Sequence, residues 1–194
     1  MTVTRCQKIF LLKKNILEVT ENLLLENNQE IIVSELAKKL DIAKGTIYKH
    51  FKTKNQLYLE LLIVNEQRLL DIAKMDKMDV KKSISAYMRY HLENAKRTIL
   101  LHNIESRITN QERGLKNKFQ QLYEIREKRI LEVKDITLNF LKSSGSSISV
   151  RDYQSYVWGI TFGACLLISS TYYQETVGMR ANLIDFYIEQ ALHL

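Results

Sequence analysis

Residues 44–51 read KGTIYKHF, and KTKNQL carries the run on to residue 57. Four lysines, Lys44, Lys49, Lys52 and Lys54, stand within eleven residues, interleaved with Tyr48, His50 and Phe51. Ile47 and Phe51 are four apart, so a helix over 44–51 turns both to one side. Such a helix is too short to bury much, which leaves Lys44, Thr46, Tyr48, Lys49 and His50 as outward donors. Upstream, Leu36, Ala37 and Leu40 give a second short inward face over 34–40. Asp41-Ile42 makes a tight turn between the two, at a position where Asp tolerates a left-handed backbone. Downstream, Thr53 is placed to cap a fourth helix, whose first amides and Lys52 and Lys54 would attract a phosphate. A helix, a tight turn and a second short helix that is apolar behind and rich in donors in front is the geometry that reads a DNA major groove.

The surrounding composition agrees with a helical, polyanion-binding chain. The 194 residues include no proline and only six glycines, which favours long uninterrupted helices. The formal net charge is +7, a basic surplus suited to a polyanion. The two cysteines, Cys6 and Cys165, lie far apart and form no metal-binding spacing, so reduced thiols are expected and no metal or other cofactor. Ile9-Phe10-Leu11-Leu12, broken by Lys13-Lys14, is too short for a secretory core, and a cytoplasmic location is expected. Residues 153–174 carry no formal charge over about the length of a spanning helix. Their strongly apolar part covers only 157–168, and flanking Gln and Ser residues would be costly in lipid, so a buried helix is expected there and no membrane partner.

Apolar residues recur three and four apart almost throughout, and no strand pattern or internal repeat interrupts them. The spacing predicts about nine helices and an all-α fold. Ile9, Leu12, Ile16, Val19 and Leu23 mark the first. The second and third follow over 34–40 and 44–51. Leu57, Leu61, Val64 and Leu69 mark a fourth, running to about residue 73. The fifth and sixth are expected over 80–96 and 98–108, and a long seventh over 115–141. Ser143-Ser144-Gly145-Ser146-Ser147 is the clearest linker, with Ser149 as a cap for the eighth helix. A turn over 174–178 and a ninth helix over 180–192 complete the chain. The division expected is a helix-turn-helix domain over 1–53 and a larger helical bundle over 54–194.

The string VSELAKKLDIAKGTIYKHFKTKNQL, residues 33–57, resembles the DNA-binding motif of the tetracycline-repressor (TetR-type) regulators. The resemblance rests on Leu36-Ala37, on the core Gly45-Thr46-Ile47-Tyr48-Lys49-His50-Phe51, and on Lys54 and Leu57. It implies that Thr46, Tyr48 and Lys54 bind phosphates, and that Lys44, Gly45 and Lys49 approach bases or the adjacent backbone. Ser34 matches a position that touches DNA in some members, and His50 stands either as a DNA contact or as packing. Three positions depart from the pattern: Ile32 where Ser or Thr caps helix two, Asp41 where Gly makes the turn, and Ala43 where Ser is usual. The missing cap implies one fewer phosphate contact.

The same resemblance implies a homodimer formed by helices eight and nine. Gly159 and Gly163, four apart, would admit another backbone, and Ile184, Tyr187, Ile188 and Ala191 make an apolar stripe. It further implies an effector pocket among helices four to eight, for which Tyr87, Tyr90, His91, His102, Phe119, Tyr123, Trp158 and Phe162 are the candidates. Their character suggests an apolar or aromatic small-molecule effector held by few polar groups.

No nucleophile elbow, phosphate loop or metal pair accompanies the four histidines, so no catalytic residue is expected. The expectation is a homodimeric transcriptional regulator, a repressor released from a palindromic DNA operator by a small molecule. A helical dimeric interaction protein without operator DNA, or a helical enzyme, are the alternatives.

Overall fold

The computed structural model describes residues 4–27, 30–75, 79–108, 114–171 and 179–193. Among them lie nine α-helices and no strand: α1 (Arg5–Asn27), α2 (Val33–Lys39), α3 (Lys44–His50), α4 (Lys54–Met75), α5 (Val80–Glu93), α6 (Ala95–Arg107), α7 (Lys116–Ser143), α8 (Val150–Ser169) and α9 (Arg180–Leu192). The turn expected over 174–178, and all but the last residue of the break expected over 110–114, lie outside the described residues.

Local chemistry sets most of these ends. The Asp79 carboxylate accepts from the amides of Lys81 and Lys82 and starts α5. Ser149 caps α8 as expected, its Oγ accepting from the Asp152 amide at 3.1 Å. Thr53 Oγ1 accepts from the Gln56 amide at 3.0 Å while Gln56 Oε1 reaches back to the Lys52 amide at 2.7 Å, a reciprocal cap at the start of α4. One boundary differs from the sequence reading. The fifth helix stops at Glu93 rather than near residue 96, because Asn94 leaves the helical region and its side-chain amide donates to the Tyr90 carbonyl at 3.0 Å. The side chain replaces the hydrogen bond a continuing helix would have supplied.

Helix α2 ends in a Schellman turn. The Ile42 amide donates to Ala37 O at 3.0 Å and the Asp41 amide to Lys38 O at 3.2 Å. This requires a left-handed residue between them, and Asp41 supplies it with φ +52°. The α7 terminus uses the same turn with Gly145 at φ +69°. A non-glycine residue in this region costs roughly 1–2 kcal/mol. Asp41→Gly is therefore expected to raise the denaturant midpoint by the equivalent of about 1 kcal/mol, and Asp41→Val to lower it.

Two apolar clusters hold the chain together. The first joins α1, α2 and α3 to the N-terminal half of α4 and to parts of α6 and α7, through Ile16, Leu24, Leu36, Ile47, Phe51, Leu57 and Leu59 among others. The boundary expected at residues 53/54 therefore crosses a continuous core rather than a hinge. The second cluster joins α5, α8 and α9 around Met88, Leu92, Tyr153 and Cys165. Helix α8 is packed against α5, α6, α7 and α9, and among the described residues no helix is long and apolar enough to cross a membrane. At the start of α1, Ile9, expected inward, is half exposed along with Phe10 and Leu11.

Candidate nucleic-acid interface and ligand cavity

Helix α3 is held from behind by Ile47 and Phe51, each only 1% exposed. Its first helical residues, Lys44 and Gly45, are exposed, as are Tyr48 and Lys49, while Thr46 and His50 are half-buried. Ser34, at the start of α2, is exposed on the same small domain. Ile32 occupies the cap position of α2 and makes no side-chain cap bond, so that helix offers no hydroxyl at its N-terminus. Lys54 differs from the other lysines of the motif: its Nζ lies 3.1 Å from Glu30, so a phosphate would share it with a carboxylate.

The orientation of this unit is fixed from several sides. The Ile31 amide donates to Tyr58 Oη at 3.1 Å, tying the segment before α2 to α4. Burial raises the Tyr58 phenol above its ordinary pKa, keeping it protonated. Glu60 of α4, 6% exposed, receives Lys13 of α1 at 3.0 Å and Lys118 of α7 at 2.8 Å. Glu21 of α1 takes both terminal nitrogens of Arg68 at 3.1–3.2 Å. Helix α4 is thus bonded to the N-terminal helices through Tyr58, Glu60 and Arg68, and to α7 through Glu60.

A cavity of about 620 Å³ opens between α4, α5, α6, α7 and α8. Of the aromatic candidates, Tyr87, His91, His102 and Trp158 line it. Phe162 lies behind them, its ring 4.4 Å from His102 and 5.5 Å from Trp158. Tyr90 turns away, donating to Asn65 Oδ1 at 2.7 Å beneath the Arg97 guanidinium. Phe119 and Tyr123 border a separate hollow with Lys116 and Gln120. Helix α7 is long enough to present several faces, and these two rings fall on one that the cavity does not touch.

The sequence reading missed the polar wall of the cavity. Glu66, 6% exposed, accepts from Arg126 Nε at 3.0 Å and from Arg129 Nε at 3.2 Å. Arg126 also holds Glu105 through both terminal nitrogens, at 2.6 and 2.8 Å. Burial pushes the Arg126 guanidinium down, but Glu105 and Glu66 more than restore it, so its pKa lies above the ordinary value. The available signal was Glu66 itself, a charge set between the inward residues Leu62 and Leu69.

His91 sits at the heart of the cavity's aromatic side. Its ring is 4.8 Å from Tyr87 and 5.3 Å from Trp158, both edge-on. Burial, reinforced by Arg129 and Arg97, lowers its pKa to about 3. The unfolded chain would take up a proton near pH 6.5 that the folded chain refuses, so stability is full above that pH and falls on acidification until about 3. The expected loss is about 2 kcal/mol between pH 6.5 and pH 5. Denaturant melts at the two pH values should show it in the native chain and not in His91→Leu.

The apolar stripe of α9 points differently from the sequence reading. Ile184, Ile188 and Ala191 are buried in the chain's own second cluster, and Tyr187 packs against it. Periodicity identified the apolar face, but α5 and α8 cover it. The exposed apolar residues here are Tyr156 and Leu166 on α8 and Phe186 on α9. Gly159 and Gly163 lie on α8 with open space where a Cβ would project.

Comparison with known proteins converges on one family. Residues 16–61 match the family model described as bacterial regulatory proteins, tetR family. HTH-type transcriptional regulator QacR of Staphylococcus aureus strain Mu50 is 31% identical over 81 residues, covering 41% of this chain and 43% of that protein. The chain thus matches less than half the length of that curated relative. Among solved structures, the TetR family regulator PfmR from Thermus thermophilus superposes with a TM-score of 0.68 at 16% identity, over 91% of this chain and 96% of that one. FadR from Bacillus subtilis, solved in complex with stearoyl-CoA, gives 0.61 at 17% identity, also over 91% and 96%. Residues 16–61 thus match the N-terminal motif of the tetR family of bacterial regulatory proteins, and the described residues share the fold of these two solved structures.

Proposed function

We propose that this protein is a transcriptional regulator that binds a two-fold DNA operator as a homodimer and is released when a small molecule enters the cavity. The observation that carries the reading is α3: Lys44, Gly45, Tyr48 and Lys49 exposed on a helix locked from behind by Ile47 and Phe51. Thr46, His50, Ser34 and Lys54 complete the DNA-facing set, with the residues over 1–53 as the reading domain and 54–194 as the effector-binding and dimerisation domain. A single small reader makes few base contacts, and pairing doubles them. Tyr156, Gly159, Leu166 and Phe186, all exposed, and half-buried Gly163 supply a partly apolar surface for that pairing.

Release follows from α4. Tyr58 and Glu60 near its start hold the reading domain, whereas Asn65, Glu66 and Leu69, two turns on, line the cavity. A ligand that binds better when α4 is displaced shifts the dimer towards a form whose readers no longer match the half-site spacing. The neighbour FadR, with its bound stearoyl-CoA, lends this reading support by likeness of fold.

Selection of bound sequences from random DNA tests the proposal. The expected product is a palindrome whose half-site centres lie about one helical turn, or a multiple of it, apart. Enrichment of no sequence, or of an unsymmetrical one bound by a monomer, would overturn it.

A further inference from the structure

The cavity has ionised residues, yet its polar wall carries little unpaired charge. Glu66 and Glu105 are matched by Arg126 and Arg129, and all four are bonded into one network. Arg151, the remaining cation among the described residues of the lining, is exposed to solvent. A charged ligand would have to break this network or lose its own water without a partner. Most of the remaining lining is apolar, including Leu62, Leu69, Ile72, Ile84, Ile130 and Val133.

Two described residues of the lining each hold a buried nitrogen without a hydrogen-bond partner: His91 Nε2 and Gln154 Nε2. His91 is 4% exposed. Its hydrogen bonds define what it lacks. Thr98 Oγ1 donates to the His91 carbonyl at 3.2 Å, so the 3.1 Å bond between His91 Nδ1 and Thr98 Oγ1 takes its proton from the ring. The other ring nitrogen, Nε2, is then a bare acceptor. Gln154 Nε2 is a donor, one helical turn before Trp158, whose indole stands 5.3 Å from the imidazole. Buried polar atoms are almost always paired, so an orphaned acceptor and donor on one cavity ask for a group that both donates and accepts. A hydroxyl does so with a single oxygen.

We infer that the cavity binds an uncharged, mainly apolar molecule through a hydroxyl group that donates to His91 Nε2 and accepts from Gln154 Nε2. The volume suits a ligand of ordinary drug size, held by one polar anchor in an apolar shell. This names the effector class of the site proposed above and rests on that reading for its regulatory meaning, though not for binding.

Trp158 is the single tryptophan of the chain and lines the cavity, so its fluorescence reports occupancy. Four probes sharing one biphenyl body would be titrated: 4-phenylphenol, 4-methoxybiphenyl, biphenyl-4-carboxylate and 4-biphenylyltrimethylammonium. The phenol is expected to bind at least about tenfold more tightly than each of the others, since a site built for a hydroxyl rejects analogues that cannot donate. His91→Leu and Gln154→Leu should each cut that margin to about threefold or less with helical circular dichroism unchanged. Should His91→Leu not fold, Gln154→Leu, at a half-buried position, carries the test alone. Equal or tighter binding of either charged probe, a margin surviving the substitutions, or no quenching by any probe would overturn the inference. If the phenol binds with the expected margin but leaves a selected operator occupied, the cavity chemistry stands and the effector reading falls.

Discussion

The Lys44→Ala/Lys49→Ala variant should bind a selected operator about a thousandfold more weakly than the native chain, with no loss of thermal stability. Both lysines are exposed, and among the described residues neither is in an ion pair, so removing them takes nothing from the fold. A homodimer loses each side chain twice. At the low end of about 1–3 kcal/mol per base contact, four lost contacts reach about 4 kcal/mol, roughly three decades in affinity. Were the lysines to meet phosphates instead, the log–log salt slope would flatten by about 3 to 4, at −0.9 for each phosphate no longer neutralised. Affinity and slope measured together from about 50 to 200 mM salt separate the two kinds of contact. Lys54→Ala should do less, because Glu30 already holds that ammonium at 3.1 Å. An unchanged affinity in the double variant would remove α3 from the DNA altogether.

The elements that could be read from sequence are those whose determinants are local. Ile47 and Phe51, four apart in a seven-residue helix and its cap, leave only one way for the lysines of α3 to point. Thr53 before α4 and Ser149 before α8 accept from amides three residues on, Asp41 acts through its own left-handed backbone at the turn, and each sits where its neighbours predicted. What depended on distant partners was not legible. The apolar stripe of α9 announces a buried face but does not say whether a second chain or this one covers it. Aromatic residues at helical spacing look alike in sequence whether they line a cavity, as Trp158 does, or border a different hollow, as Tyr123 does. The polar wall was least accessible, since Arg126 and Arg129 reach Glu66 across 60 and 63 residues. Asn94 is the intermediate case: its helix-breaking bond to Tyr90 is local, but Asn within a polar stretch also passes for a solvated helix position.

The buried carboxylate of Glu60 predicts an asymmetric response to substitution. Lys13 and Lys118 are 35% and 27% exposed, whereas the Glu60 side chain is 8% exposed. With Glu60→Leu the lysines can swing their ammonium groups into water, and a leucine joins Leu57, Leu59 and Leu61 in the same cluster. That change should cost less than about 1 kcal/mol, in line with replacement of buried ion pairs by apolar side chains. The reverse change is severe. Lys13→Met/Lys118→Met strands a carboxylate that cannot reach solvent, and should destabilise the chain by about 3–5 kcal/mol. Lys13 also stands 5.7 Å over the Phe51 ring, so part of the loss falls on the anchor of α3. Adding Glu60→Leu to that pair should restore most of the stability, because the stranded charge and not the missing contact is the dominant cost. Denaturant midpoints of the three variants decide the matter. If the triple variant is as unstable as the double, the lysines hold α1 and α7 to α4 by packing of their stems, and the charges are incidental.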